Sequence, residues 1–206
     1  MKKSWLFLGI LVLLSTTSTY GLLIKSKTAH VNLDTEKVSR ISGPINELLL
    51  IEYITSLEAT REMIGDRVII INSQGGQVGV GLDIIKLMKA EQDKGVRQIC
   101  VVEAEASSMA FNILTHCDVR LATASSIMTV HKVAAGGWDP NIRPTAKNLR
   151  TLANELERTD EQFRWANSEA MHISLAEYDE KADEETTWRA QKLYKMGYLQ
   201  GITKSK

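Results

Sequence analysis

The chain lacks an excess of either charge, since 25 Lys and Arg residues balance 25 Asp and Glu residues. Without a basic surplus there is no indication of nucleic-acid binding, and no acidic tail is present. Internal repeats and low-complexity stretches are also missing. What remains is a chain of 206 residues, 44% hydrophobic and 24% charged, which is typical of one globular domain of ordinary size.

Two signatures of nucleotide binding are missing from the glycine-rich region. No Gly-Lys-Ser or Gly-Lys-Thr follows the glycines, which excludes a P-loop. Their spacing does not form G-x-G-x-x-G, which excludes the dinucleotide-binding fingerprint. The Gly75-Gly76 pair keeps two interpretations: an ordinary tight turn, or a turn at which the backbone closely approaches a ligand.

Cysteine is scarce. The chain has only Cys100 and Cys117, and both lie in apolar segments. This setting favours two buried free thiols over a disulfide. Two cysteines are too few to indicate a reducing or an oxidising compartment.

The long apolar run is confined to the N-terminus. A basic start, Met1 to Lys3, precedes a stretch without charge from Trp5 to Ile24. This order predicts a signal peptide or an uncleaved membrane anchor over residues 1–28, with a buried helix as the remaining alternative. The protein is therefore expected to be exported (periplasmic or secreted) or anchored in a membrane through residues 5–24.

Residues 29–206 are expected to form one α/β domain. Runs of β-branched residues indicate strands buried on both faces of a parallel sheet, and apolar residues at helical spacing indicate the helices between them. The predicted strands cover residues 38–41, 67–71, 99–102, 119–122 and 127–130. The predicted helices cover about 45–63, 82–90, 109–117, 145–171 and 188–196.

Two adjacent serines, Ser107 and Ser108, lie between a predicted strand and a predicted helix. Serine is a good N-cap, so either residue can cap the helix. A nucleophilic serine instead requires a general base. His116 lies on the same helix about 12 Å along its axis and cannot reach back. His131, at the end of another strand, can lie at the same edge of the sheet.

Three motifs in order, INSQGGQVGVGLDIIKLM, EASSMAF and SSIMTVH, resemble the proteolytic subunit of the ATP-dependent Clp protease family, in the Clp/crotonase superfamily. The similarity covers about residues 35–202 and is closer to the divergent Clp-like serine proteases than to a housekeeping subunit. It implies a Clp/crotonase-like α/β fold of repeated β-β-α and βαβ units. It also implies a long protruding handle helix over about 145–171.

The resemblance implies a role for each residue of a candidate site. Ser108, directly before a methionine, is implied as the nucleophile, and His131 as its general base. The oxyanion hole is implied at the backbone N–H groups of Gly76 and Met109, with Gly75 as a further candidate. The Met109 N–H lies at a helix N-terminus, where unpaired donors and the helix dipole favour an anion.

The acid of the triad is less clearly marked. The family places it five residues before the alanine of the closing helix, which implies Glu185. Asp183 and Glu184 remain alternatives, and the acidic run can instead be the solvated start of the last helix. The closing motif departs from the family, because Gln191-Lys192 replaces its glutamate. A serine–lysine dyad using Lys132 is a further alternative.

The resemblance implies a serine endopeptidase that acts on peptides or unfolded proteins, without a cofactor or a metal. The alternatives are a catalytically inactive Clp-like scaffold and a crotonase-type acyl-CoA enzyme. The handle implies a homo-oligomer, such as a ring. An ATP-driven unfoldase partner is expected only if the domain faces a compartment that contains ATP.

Overall fold

A computed structural model describes residues 37–136 and 145–203. Strands and helices alternate along most of this part of the chain. The strands are β1 (Lys37–Ser42), β2 (Arg67–Ser73), β3 (Gln98–Ser107), β4 (Val119–Thr123), β5 (Ile127–Thr129), β6 (Thr187–Arg189) and β7 (Gly201–Thr203). The helices are α1 (Glu47–Ala59), α2 (Val78–Gln92), α3 (Met109–Thr115), α4 (Ala146–Met171), α5 (Leu175–Asp183) and α6 (Ala190–Lys195).

The strands form one mixed sheet, and parallel pairs dominate it. The main path runs β1-β2-β3-β4-β7, and every pair along it is parallel. β3 is long enough to pair twice, with β4 along its first half and with β5 along its second half. β6 pairs antiparallel with β5. The α/β prediction is confirmed, and the carboxyl end of β3 reaches the strand that leads to His131.

The central strands lie in the middle of the sheet because their apolar side chains are buried on both faces. From Arg67 to Ile71, β2 is buried at every residue, as expected for a strand covered on both faces. The main core cluster joins this strand to β3, α2 and α3 through residues such as Ile71, Val102 and Phe111. These buried strands form a rigid support for the loops at their carboxyl ends.

The apolar residues at helical spacing in α1 are not all buried. The predicted helix is present, but Leu48 and Ile51, which carry the helical spacing, are 64% and 61% exposed. The residues that pack into the core are Leu49 and Tyr53. Periodicity therefore located the helix, but two of the residues that carry it do not pack into the core.

α4 is the longest helix and matches the predicted one closely. Its N-cap, Thr145, accepts a hydrogen bond from the Asn148 N–H at 3.2 Å. Its C-terminal half is anchored by buried Phe163, Asn167 and Met171, whereas its N-terminal half is largely exposed.

The C-terminal region corrects the predicted closing helix. Trp188 belongs to β6 and pairs with Met128 of β5, so the helix begins only at Ala190. Strand β7 and helix α5 were not predicted. Both depend on contacts with distant parts of the chain, such as the pairing of Ile202 with Ala122 of β4.

The prediction of two free thiols is wrong. Cys100 and Cys117 form a disulfide with their Cα atoms 5.9 Å apart, and both residues are buried. The bond joins β3 to Cys117, two residues after the end of α3, so it closes a loop that contains Ser108. Closing a loop of this length stabilises a fold by about 3 kcal/mol.

The predicted signal or anchor over residues 1–28 lies outside the described residues. Among the residues that the structure describes, no helix is long and apolar enough to cross a membrane.

Candidate active site

Ser108 occupies a sharp corner between β3 and α3. Its φ is 56° and its ψ is −124°, a backbone conformation that non-glycine residues rarely adopt. Holding such a residue costs about 1–3 kcal/mol, and strain of this kind concentrates at functional sites. The corner is fixed by the Ser108 N–H, which donates to the Thr129 carbonyl of β5 at 2.9 Å.

The two adjacent serines have different roles. Ser107 ends β3, is buried, and its Oγ donates to Glu105 Oε1 at 2.7 Å. Ser108 stands at the N-cap position of α3, yet its side chain makes no capping hydrogen bond. The possible capping role of Ser107 is therefore not observed, and the Ser108 hydroxyl is left available for chemistry.

The Gly75-Gly76 turn packs directly against this corner. A Cβ atom at Gly75, whose φ is 97°, would lie 2.7 Å from both the Ser107 carbonyl oxygen and Ser108 Cβ. A Cβ atom at Gly76 would overlap the Ile45 carbonyl oxygen. Both positions therefore require glycine, because the turn packs tightly against the protein's own backbone; an approach to a ligand stays a prediction.

The turn and the helix start offer two backbone donors. Among the described residues, no acceptor is hydrogen-bonded to the Gly76 N–H or to the Met109 N–H. The Gly75 N–H is occupied, because it donates to Ser73 Oγ at 3.1 Å. Gly75 thus shapes the turn, while Gly76 and Met109 carry the free N–H groups.

His131 follows β5 and lies in the same cavity as Ser108. This cavity measures about 110 Å³, and its lining includes Gly76, Met109 and Asn112. His131 Nδ1 lies 2.7 Å from the Lys132 carbonyl oxygen. Because a carbonyl only accepts, Nδ1 carries the proton, and the lone pair of Nε2 is left to act as a base.

A larger groove of about 680 Å³ adjoins this cavity. Gly76, Val78, Val133 and Ala134 line both spaces. The far wall of the groove is formed by α4, which contributes Leu152 and Leu156 among others. A largely apolar lining is therefore shared between this groove and the cavity at the serine corner.

Two of the three candidate acids are held by lysines. Asp183 pairs with Lys132 Nζ at 2.7 Å, and Glu184 pairs with Lys181 Nζ at 3.3 Å. The hydrogen bond to Asp183 raises the pKa of Lys132 above its ordinary value. A lysine base requires a lowered pKa, so this environment argues against the serine–lysine dyad.

Glu185 lies in the turn between α5 and β6 and makes no hydrogen bond to His131 among the described residues. In the antiparallel ladder of β5 and β6, Thr129 is opposite Thr187, and the Val130 N–H donates to the Thr186 carbonyl at 3.1 Å. The paired strands end there, and both His131 and Glu185 lie outside them. Glu185 is exposed, and its φ is 49°.

Two further polar residues adjoin the site and were not singled out in the sequence. Asn112 interrupts the apolar helix Met109–Thr115 and lines the cavity, and that interruption is a signal that could have identified it. Asp160 accepts a hydrogen bond from the Val133 N–H at 2.7 Å. It lies in a helix rich in charged residues, where no pattern distinguishes it.

The described residues hold no group of three or more His, Cys, Asp or Glu side chains suited to a metal ion. The site consists instead of a serine, a histidine, nearby carboxylates and free backbone donors.

Comparison with known proteins agrees with this architecture. A family model described as Clp protease matches residues 25–206, which is most of the chain and includes every residue of the site. No curated protein matches the chain. The long match, together with the mixed α/β fold and its largely parallel sheet, shows that the chain belongs to the Clp protease family.

Proposed function

We propose that this member of the Clp protease family is a serine endopeptidase with Ser108 as nucleophile and His131 as general base. The observation that carries the proposal is the Ser108 corner, where a strained serine with an uncapped hydroxyl shares one small cavity with a histidine. A structural serine at a helix start would cap the helix.

Acylation follows from the placement of the groups. His131 Nε2 takes the proton from Ser108 Oγ as the oxygen attacks the peptide carbonyl carbon. The negative charge that develops on the carbonyl oxygen is held by the Gly76 and Met109 N–H groups. A preorganised donor of this kind contributes roughly 3–4 kcal/mol to the transition state. The protonated histidine then gives its proton to the leaving amine, and the C–N bond breaks.

Deacylation uses the same groups. His131 removes a proton from a water molecule, which attacks the acyl carbon, and the tetrahedral oxyanion again lies at the two N–H groups. The histidine returns the proton to Ser108 Oγ as the C–O bond breaks and the acid product leaves. No cofactor is needed for either half of the reaction.

Glu185 is the proposed acid of the triad. Asp183 and Glu184 are paired with lysines, whereas Glu185, two residues before β6, has no lysine partner among the described residues. The Lys132 carbonyl already holds the Nδ1 proton in this structure. Glu185 would therefore stabilise the imidazolium mainly through its charge when the histidine is protonated.

The groove supports a peptide substrate in extended form. It runs along aliphatic side chains to Gly76, next to the free donors and to Ser108. A groove between a backbone segment and a helix suits a chain whose side chains alternate between the two walls.

We further propose that the domain works as a homo-oligomer in an oxidising compartment. The Cys100–Cys117 disulfide supports this location, because such bonds persist outside reducing cytoplasm. The apolar segment from Trp5 to Ile24 supports export or anchoring. Where ATP is absent, an ATP-driven unfoldase cannot feed the site, and small or unfolded peptides are the expected substrates.

A serine-directed fluorophosphonate tests the function. The wild-type chain should be labelled, Ser108→Ala should not be, and the matched neighbour variant Ser107→Ala should keep its labelling. Undiminished labelling of Ser108→Ala would overturn the assignment of the nucleophile. A folded wild-type protein that is never labelled would instead favour the inactive scaffold.

A further inference from the structure

The C-terminal half of α4 turns three side chains toward the candidate site. Phe163 lines the cavity that holds Ser108 and His131. Asp160 and Asn167 lie three residues before it and four residues after it, so all three share one face of the helix. The two polar residues bind different parts of the site.

Asp160 holds the histidine loop. His131, Lys132 and Val133 follow β5 outside any strand or helix, so the ladder does not fix them. The Val133 N–H donates to Asp160 Oδ1 at 2.7 Å. A charge-assisted hydrogen bond of this length is among the stronger ones, and it ties the loop to α4 two residues after the base.

Asn167 holds the nucleophile helix. Its Nδ2 donates to Asn112 Oδ1 at 2.8 Å, and Asn112 Nδ2 donates in turn to the Ser108 carbonyl at 3.3 Å. The contact therefore reaches the backbone of the nucleophile itself through one intermediate side chain.

The Asn167 amide is fixed on all sides. It is 1% exposed, its Oδ1 accepts from Thr115 Oγ1 at 2.7 Å, and its Nδ2 also donates to the Tyr178 hydroxyl at 2.8 Å. A buried amide with these partners has one orientation, because any rotation leaves polar atoms unpaired.

We propose that Asp160 and Asn167 are positioning residues through which α4 sets the alignment of His131 with Ser108. The two residues are seven positions apart, about 10.5 Å along a rigid helix. Asp160 fixes the loop of the base, and Asn167 fixes the helix of the nucleophile. The inference rests on the proposed function, since it concerns the reactivity of the same serine.

The experiment compares fluorophosphonate labelling rates, resolved into the maximal rate and the concentration for half-saturation. Asp160→Ala should lower the maximal rate about tenfold and leave half-saturation unchanged, because a misplaced base slows attack without altering probe binding. Asp160→Asn should keep most of the rate, since its Oδ1 still accepts from Val133. The matched control is Glu161→Ala, an exposed carboxylate on the next residue of α4.

A second set of variants tests whether α4 couples the His131 loop to the helix that begins after Ser108. Asn112→Ala should slow labelling as well, and the double variant with Asp160→Ala should lose less than the product of the two single losses. That non-additivity is expected when either change alone already releases the alignment. Asn112 is used because it is less buried than Asn167, whose replacement can unfold the chain.

Equal labelling rates for Asp160→Ala and Glu161→Ala would overturn the proposal. Losses that multiply in the double variant would also overturn it, because they would indicate two local effects without a shared alignment. Either result can occur while Ser108→Ala still abolishes labelling, so the positioning role fails separately from the proposed function.

Discussion

The serine corner ends β3 and the acid corner precedes β6, two strands that both pair with β5, but the two corners are held in different ways. At the serine corner, Ser108 is fixed by a buried strand, by the Thr129 carbonyl and by the close approach of Gly75. At the acid corner, Asp183, Glu184 and Glu185 are exposed. Its ion pairs lie at the surface, where solvent screens them and their contribution to stability is small.

This difference indicates where precision is needed. The nucleophile and the oxyanion donors must be placed within a fraction of an ångström of the substrate carbonyl, so burial and backbone contacts define them. The proposed acid only stabilises the positive charge of His131. An exposed side chain is sufficient for this role, although it contributes less to the rate. The comparison predicts large effects from changes at the serine corner and small effects at the acid corner.

The largest effect is expected from Gly75→Ala. The added methyl group would overlap the Ser107 carbonyl and Ser108 Cβ, and alanine disfavours the φ of 97°. A shift of about 1 Å at the serine can cost about 100-fold in rate, so labelling by the fluorophosphonate should fall to that extent. Gly79→Ala is the control, since a Cβ atom there meets nothing within 4 Å and the residue lies in α2. Similar labelling of both variants would remove the packing argument for this corner.

A smaller effect is expected from Glu185→Gln. An exposed charge contributes up to about 1 kcal/mol, which corresponds to about a fivefold loss in labelling rate. A buried catalytic carboxylate would instead cost about 10⁴-fold. The matched variant is Asp183→Asn, which breaks the pair with Lys132 and should change the rate less. If Asp183→Asn is the slower of the two, the acid is Asp183 and the comparison between the corners must be redrawn.

The smallest effect on labelling is expected from replacing both cysteines with alanine. Cys100 and Cys117 do not line the cavity, so the folded variant should be labelled at the wild-type rate at 25 °C. Its free energy of unfolding, measured with urea, should fall by about 3 kcal/mol. A marked loss of labelling in a variant that is still folded would show that the bond also shapes the serine corner.

The sequence predicted the parts of the fold that local pattern determines. The β-branched run from Arg67 to Ile71 identified a buried strand, and the residues around Ser108 identified a strand followed directly by a helix. Both depend on neighbouring residues alone, which is why a single sequence is sufficient for them.

The missed features depend on contacts between distant residues. Trp188 became a strand residue because it pairs with β5, and α1 turned Leu49 and Tyr53 inward because the core lies on that side. The disulfide depends on α3 returning beside β3, which brings Cys117 close to Cys100. Neither the sequence spacing nor the apolar setting of the two cysteines could predict that they lie within bonding distance.

At the candidate site, the sequence located the serine and the histidine but not what holds them. The order of the motifs was enough to single out Ser108 and His131. The contact between Asp160 and Val133, in contrast, joins a surface helix to a loop 27 residues away, and no local pattern indicates it. The hydrogen bond from the Gly75 N–H to Ser73 Oγ could not be predicted either, since it depends on the conformation of the turn.

The buried disulfide also allows the opening rate of the serine corner to be measured. A reductant cannot reach Cys100 or Cys117 in the closed structure, because both side chains are covered. The bond is therefore reduced only in molecules whose β3–α3 unit has opened, and the slow rate of thiol appearance under native conditions reports the frequency of that opening. The disulfide thus reports local unfolding of the region that presents the proposed nucleophile.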